Sequence, residues 1–120
     1  MDKLHENRDK ISNRNASQMQ KEIVAYNKLL GNYKITFSDL TACCPKNANK
    51  RQDAMNIAKL ISEKENLTAF LLEKKQIPVK ELQKVFSVCH STMNTYKKYI
   101  IALSLIYIGE FTCIKDYINH

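Results

Sequence analysis

The sequence predicts an all-α fold, a small bundle of about five to seven helices of ordinary length, and three observations carry that expectation. Only two glycines and two prolines interrupt 120 residues. The dominant residues, Leu, Ile, Lys, Glu, Asn and Gln, favour helices joined by short loops over strands. Apolar residues recur at three- and four-residue intervals through most of the chain. An apolar fraction of 44% suffices for one modest core.

Residues 1–16 are polar and charge-mixed, with Leu4 and Ile11 the only sizeable apolar side chains, so burial would recover little of the entropy lost on ordering. They read as a flexible tail or linker end. Residues 17–45 read as an N-terminal helical arm. Ser17 and Gln20 have capping-box spacing, and Met19, Ile23, Tyr26, Leu29 and Leu30 form a helical stripe that stops at Gly31. A short turn follows at Thr36 to Leu40, tucking Phe37 and Leu40 inward and ending near Cys44-Pro45, since a residue before proline avoids helical dihedrals.

Residues 46–120 read as a helical domain. Ala54, Ile57, Ala58 and Ile61, then Leu67, Phe70 and Leu71, keep the helical period, with Asn66 placed to cap the second of two helices. Ile77-Pro78 stops that pair and puts proline in the first turn of the next helix, where its missing amide hydrogen costs nothing. Thr112 to Ile118 offers a final amphipathic segment.

The span 78–109 has the layout of a helix-turn-helix. A short helix carrying Leu82, Val85 and Phe86 meets a Ser87-Val88 corner. With Cys89 as cap, a second helix from His90 places Met93, Tyr96, Ile100, Leu103 and Tyr107 on one stripe packed against Leu82, Val85 and Val88. The other face then offers His90, Ser91, Asn94 and Thr95 to base edges, and Thr92, Lys97 and Lys98, with Lys80 and Lys84 nearby, to phosphates. Between residues 74 and 98 six lysines stand against one glutamate. On periodicity alone the same residues fit a helical hairpin with a solvated lysine face equally well.

The net charge of +7 suits a polyanion partner, nucleic acid or an acidic protein surface, but charge by itself does not decide. Cys43, Cys44, Cys89 and Cys113, with His5, His90 and His120, form no zinc-ligand spacing, and no cofactor motif is found. Adjacent Cys89 and His90 point apart on a helix and lack a carboxylate or oxyanion loop, so an enzyme is not expected. The longest apolar run, Tyr99 to Ile108, is too short to cross a bilayer, and no leader is seen, so the expectation is a cytoplasmic protein without direct membrane insertion.

Particular runs of residues resemble sigma-I factors, alternative RNA polymerase sigma subunits. They are Leu71-Leu72-Glu73-Lys74-Lys75, Ile77-Pro78 with Lys80-Glu81-Leu82, Val88, Thr92, Lys98-Tyr99-Ile100-Ile101-Ala102-Leu103, Gly109-Glu110 and Asp116-Tyr117-Ile118. A looser likeness runs through Ile35 to Leu40 and Pro45-Lys46. The resemblance is to the C-terminal half of the family. It implies a region-four-like domain that reads the upstream, minus-thirty-five promoter element, RNA polymerase core as a partner, and capture by the N-terminal domain of a membrane-anchored anti-sigma factor of the RsgI type. The strand-melting part of such a factor would lie N-terminal to this segment.

Two departures stand out. Cys89-His90-Ser91-Thr92 replaces the family's Ser-Arg-Lys-Thr, and Asn94-Thr95 replaces Glu-Arg. Cysteine in place of a serine cap costs ~1 kcal/mol or moves the cap to Ser91, and missing guanidinium groups change base preference. A distinct promoter set is therefore expected. The alternatives are a helical module whose main activity is binding the anti-sigma factor, or another helix-turn-helix regulator.

Overall fold

A computed structural model describes residues 3–85 and 90–118, and side chains from Ala16 onward except those of residues 90–92. Those residues form eight helices and no strand: α1 (Lys3–Gly31), α2 (Phe37–Cys43), α3 (Ala48–Glu63), α4 (Glu65–Lys74), α5 (Val79–Val85), α6 (His90–Thr95), α7 (Lys97–Ile108) and α8 (Thr112–Ile118). The described residues belong to the all-α class that the composition predicts, with eight helices where about five to seven were expected.

The core is built on α7. Seven consecutive residues, Ile100 to Ile106, are buried, so the helix is enclosed on all sides, as an all-round apolar sequence requires. The hydroxyl of Ser104, fully buried, donates to the Ile100 carbonyl at 2.7 Å, which satisfies it. Its most extensive partner is α3, whose Ala54, Ile57, Ala58 and Ile61 form the expected inward stripe. Asn47 caps α3, its Oδ1 accepting from the amides of Asn49 (2.8 Å) and Lys50 (3.3 Å).

The break between α3 and α4 falls at Lys64, two residues before the expected cap, and Asn66 lies inside α4 rather than capping it. The junction is held instead by Thr68, whose hydroxyl donates to the Ile61 carbonyl at 2.6 Å and so satisfies an acceptor left over at the end of α3. Phe70 is 37% exposed, although Leu67 and Leu71 beside it are buried. Pro78 is buried and sits just before α5, its carbonyl accepting from the Leu82 amide at 3.0 Å.

The N-terminal helix departs from expectation in two ways. First, α1 begins well upstream of Ser17, so the Ser17–Gln20 spacing is interior to a helix. The upstream residues lack Gly and Pro, and acid–base pairs such as Glu6 and Lys10 have helix-supporting spacing. Second, the buried stripe is Glu22, Tyr26 and Leu30, while Ile23 is 39% exposed. The helix ends at Gly31, as expected. Its stop is a Schellman motif, with Ile35 N donating to Leu30 O and Lys34 N to Gly31 O, both at 3.1 Å, and the left-handed residue is Lys34 (φ 58°).

Tyr26, Leu30 and Ile35 belong to the same buried cluster as Ile57, Leu71 and Leu103. The Tyr26 hydroxyl donates to the Ala102 carbonyl at 2.7 Å, joining α1 to α7. Helix α2 begins with a complete capping box: Thr36 Oγ1 accepts from Asp39 N at 3.1 Å, and Asp39 Oδ2 accepts from Thr36 N at 3.0 Å. Leu40 is half-buried, but Phe37, expected inside, is 42% exposed, with its ring centre 6.2 Å from that of Tyr26.

Candidate nucleic-acid interface

Met93 orients the site. It is fully buried, and on a six-residue helix one such anchor determines which side chains face outward. Asn94 and Thr95, both predicted to meet base edges, are exposed. The predicted second helix is not continuous. At Tyr96 the backbone leaves helical dihedrals (φ −105°, ψ 19°) and turns into α7, whose ladder starts where the Tyr96 carbonyl accepts from Ile100 N at 2.9 Å. Asn94 and Thr95 thus lie on a corner between α6 and α7.

Met93, Ile100 and Leu103 are buried on the expected stripe, as is Leu82 on α5, with Tyr96 and Tyr107 half-buried. Val85, expected in that packing, is 64% exposed instead. Phe86, Ser87, Val88 and Cys89, which would make the corner and cap of the helix-turn-helix, lie outside the described residues, as do the side chains of His90, Ser91 and Thr92.

Two basic grooves border the α6–α7 corner. The first, about 580 Å³, lies between the turn after α1, the turn from α4 to α5, and the start of α7. Four lysines line it, Lys34, Lys75, Lys97 and Lys98, together with Tyr33 and Asn94, and no carboxylate is among the lining side chains. The Lys75 ammonium stands 5.8 Å from the centre of the Tyr33 ring, a cation–π geometry. The second groove, about 500 Å³, lies between the end of α2, the start of α3 and the same corner. Lys46 and Lys50 line it with Thr95 and Tyr96, again without a carboxylate, and Lys50 Nζ is 6.0 Å from the Tyr96 ring centre. Consecutive residues thus face different grooves, Asn94 the first and Thr95 the second.

Among the predicted phosphate contacts, Lys97 is exposed and Lys98 half-exposed, both on the first groove. Lys98 is partly engaged: its ammonium is 3.6 Å from Asp39 Oδ2. The amide of Thr36 first, and the nearby charge of Lys98 after it, hold the Asp39 carboxyl below its ordinary value. Lys80 is exposed on α5, and Lys84 there makes a weak 3.5 Å pair with Glu81, but neither lysine lines either of these two grooves. The sequence reading missed Lys34, Lys46, Lys50 and Asp39. All four lie outside the 78–109 span, and only the packing of α1 to α3 on α7 brings them to the corner.

This arrangement can meet a polyanion: amide and hydroxyl groups on an exposed corner for hydrogen bonding, and ammonium groups on either side for charge. Among the described residues no His, Cys, Asp and Glu side chains gather in a group able to hold a metal ion, and no described helix is long and apolar enough to cross a membrane.

No protein-family model matches the chain. It is 39% identical over 102 residues to the RNA polymerase sigma factor SigI of Bacillus subtilis, covering 85% of this chain and 41% of the relative. The SigI of Bacillus anthracis is 34% identical over 100 residues (83% of this chain, 42% of the relative), and SigI3 of Acetivibrio thermocellus 34% over 102 residues (85% and 41%). The chain spans about two fifths of the length of these curated relatives. Over the segment it shares with them, the chain is similar to the sigma-I factors of RNA polymerase.

Proposed function

We propose that this chain is a promoter-recognition domain of an alternative sigma factor, acting with RNA polymerase core in the cytoplasm and carrying no catalytic activity of its own. The observation that carries the reading is the exposed Asn94-Thr95 corner, flanked by lysine-lined grooves with no acidic residue among their described lining residues, in a chain homologous to sigma factors. His90, Ser91, Asn94 and Thr95 address base edges of the upstream, minus-thirty-five element. Thr92, Lys97, Lys98, Lys80 and Lys84 address phosphates. Asparagine pairs naturally with an adenine edge and threonine with a thymine methyl group, so the preferred site is richer in A·T pairs than an arginine-bearing corner would select.

The test is selection of bound duplexes from a randomised pool, followed by titration of the selected sequence. Replacing Asn94 and Thr95 with Ala shifts the selected sequence, with ~1–3 kcal/mol of discrimination at stake per bidentate contact. Lys98→Ala weakens binding to all sequences alike. Identical selections by wild type and the Asn94 and Thr95 variants would refute the assignment.

A second reading is capture by an anti-sigma domain of the RsgI type. It is favoured by α1, where Val24 is 51% exposed and forms a shallow groove with Ala25, between Lys21 and Lys28. A partner seated on α1 leaves the α6–α7 corner open, whereas one seated on the corner competes with DNA. Amide exchange of the chain with and without that partner separates the two: protection of residues 20–28 alone supports the α1 site, and protection of residues 93–98 the corner.

A further inference from the structure

We infer that the α6–α7 corner inserts between the two phosphate backbones that border a DNA major groove, and that the flanking basic grooves each receive one of them. Lys34 and Lys75 contact one strand and Lys46 and Lys50 the other. This deepens the promoter-recognition reading and rests on it. It adds four phosphate contacts, all of them from outside the 78–109 helix-turn-helix span.

The first support is placement. Asn94 lines one groove and Thr95 the other, so the corner is the wall between two cationic surfaces. A helix with its side chains is ~10–12 Å across, and the major groove it would enter is ~12 Å wide with a phosphate backbone on each rim. A ridge with positive charge on both flanks complements that shape, whereas a single acidic peptide would be met by only one flank.

Lys34 and Lys75 supply a second, independent observation. They are the two non-glycine residues with positive φ among the described residues, at 58° and 56°. Each ends a helix in the left-handed conformation, a position that glycine occupies without penalty. Both instead carry a lysine, and both lysines line the same groove. The backbone gains nothing from these side chains, whereas a phosphate in the groove does. Neither makes an ion pair with a carboxylate among the described residues: Lys75 rests over Tyr33, and Lys34 lines the open cleft.

The test uses the full chain and a fluorescent duplex of roughly 30 base pairs, about three helical turns, first as a random-sequence mixture. Affinity is measured from ~50 to ~200 mM salt. Lys34→Gly and Lys75→Gly keep the backbone conformation, and Lys46→Ala and Lys50→Ala keep helix and loop; thermal unfolding confirms that each variant folds. Each is expected to weaken binding and reduce the salt slope by ~1. On the selected sequence, which fixes the orientation of binding, duplexes with neutral methylphosphonates on one strand should silence the Lys34 and Lys75 variants, and those neutral on the other strand the Lys46 and Lys50 variants. An unchanged slope for either pair, or both pairs silenced by the same strand, overturns the two-strand arrangement. If Asn94→Ala still alters the selected sequence in that case, promoter recognition stands and only the straddling geometry fails. If the wild-type chain binds no duplex at the lowest salt, both fail together.

Discussion

Glu22 of α1 caps α8 from 92 residues away: its Oε1 accepts from the Ile114 amide at 3.1 Å, and its Oε2 from the Cys113 amide at 3.2 Å and the Thr112 hydroxyl at 3.3 Å. The carboxylate is 5% exposed and also accepts from the Gln18 side-chain amide at 3.0 Å. A short helix that would otherwise leave its first amides unpaired is thereby fastened to the arm. With Tyr26 bound to Ala102, one face of α1 holds both the C-terminal helix and the central one.

Glu22→Ala should therefore cost ~1–3 kcal/mol, the range for leaving buried donors without their charged acceptor, measured by urea denaturation. Acid should act on the same contact. Burial pushes the Glu22 carboxyl up, but hydrogen bonds from Gln18, Ile114 and Cys113 outweigh it and leave the value lowered. A lowered folded value means that the stabilisation is complete above the ordinary carboxylate value and is lost as pH falls through the folded one. The stability gap between wild type and Glu22→Gln should be constant near neutrality and close below about pH 4.3. A gap that stays constant down to pH 2 would exclude the linkage.

Gly109 is required for space rather than for an unusual dihedral, since its φ of −82° is open to any residue. A Cβ there would lie 2.6 Å from Phe111 Cε2 and 2.8 Å from its Cδ2. The ring cannot simply swing away, because it packs edge-on to Tyr26 with centroids 5.4 Å apart. Gly109→Ala is expected to destabilise by ~1–3 kcal/mol, the cost of overpacking, and Gly109→Ala combined with Phe111→Leu should recover part of it. Thermal unfolding of the two variants measures both effects.

Lys34 and Lys75 give the opposite sign. Replacing either with glycine relieves a left-handed conformation and should stabilise the fold by ~0.5–1 kcal/mol, seen as a rise in the unfolding midpoint. If these lysines serve DNA, the same variants lose affinity for duplexes as they gain stability. A loss of stability would show that the side chains, through contacts such as Lys75 over Tyr33, outweigh the backbone term.

How much could be read in advance depended on how local the cause was. Ala54, Ile57, Ala58 and Ile61 were legible because side-chain period alone assigns a helix face, and α7 because nothing but a core accepts ten nearly unbroken apolar residues. Thr36 and Asp39 reach each other within one turn. Glu22 was not legible: a charged residue on an apolar stripe reads as an interruption until its partners at 112–114 are known. Nor was the break at Tyr96, which no glycine or proline announces. At the candidate site, Asn94, Thr95, Lys97 and Lys98 were accessible to sequence reasoning. Lys46 and Lys50 were not, because only the seating of α3 on α7 brings residue 50 to residue 96.

Asp39 tests whether the groove is tuned by its own acid. Its carboxylate holds Lys98 at 3.6 Å and so withdraws part of one ammonium from the first groove while adding negative potential beside it. Asp39→Asn removes the charge but keeps an oxygen for the Thr36 amide, so the cap of α2 survives. Exposed pairs of this kind are weak, so affinity for duplex DNA of any sequence should rise only a few-fold at low salt, and the gain should vanish as salt screens it. Sequence preference should not move, because no base-edge group is altered. In the Lys98→Ala background the effect of Asp39→Asn should shrink, because the lysine it restrains is gone. A double-mutant cycle by fluorescence anisotropy measures that coupling, and equal effects of Asp39→Asn in both backgrounds would show that Asp39 acts on the DNA directly rather than through Lys98.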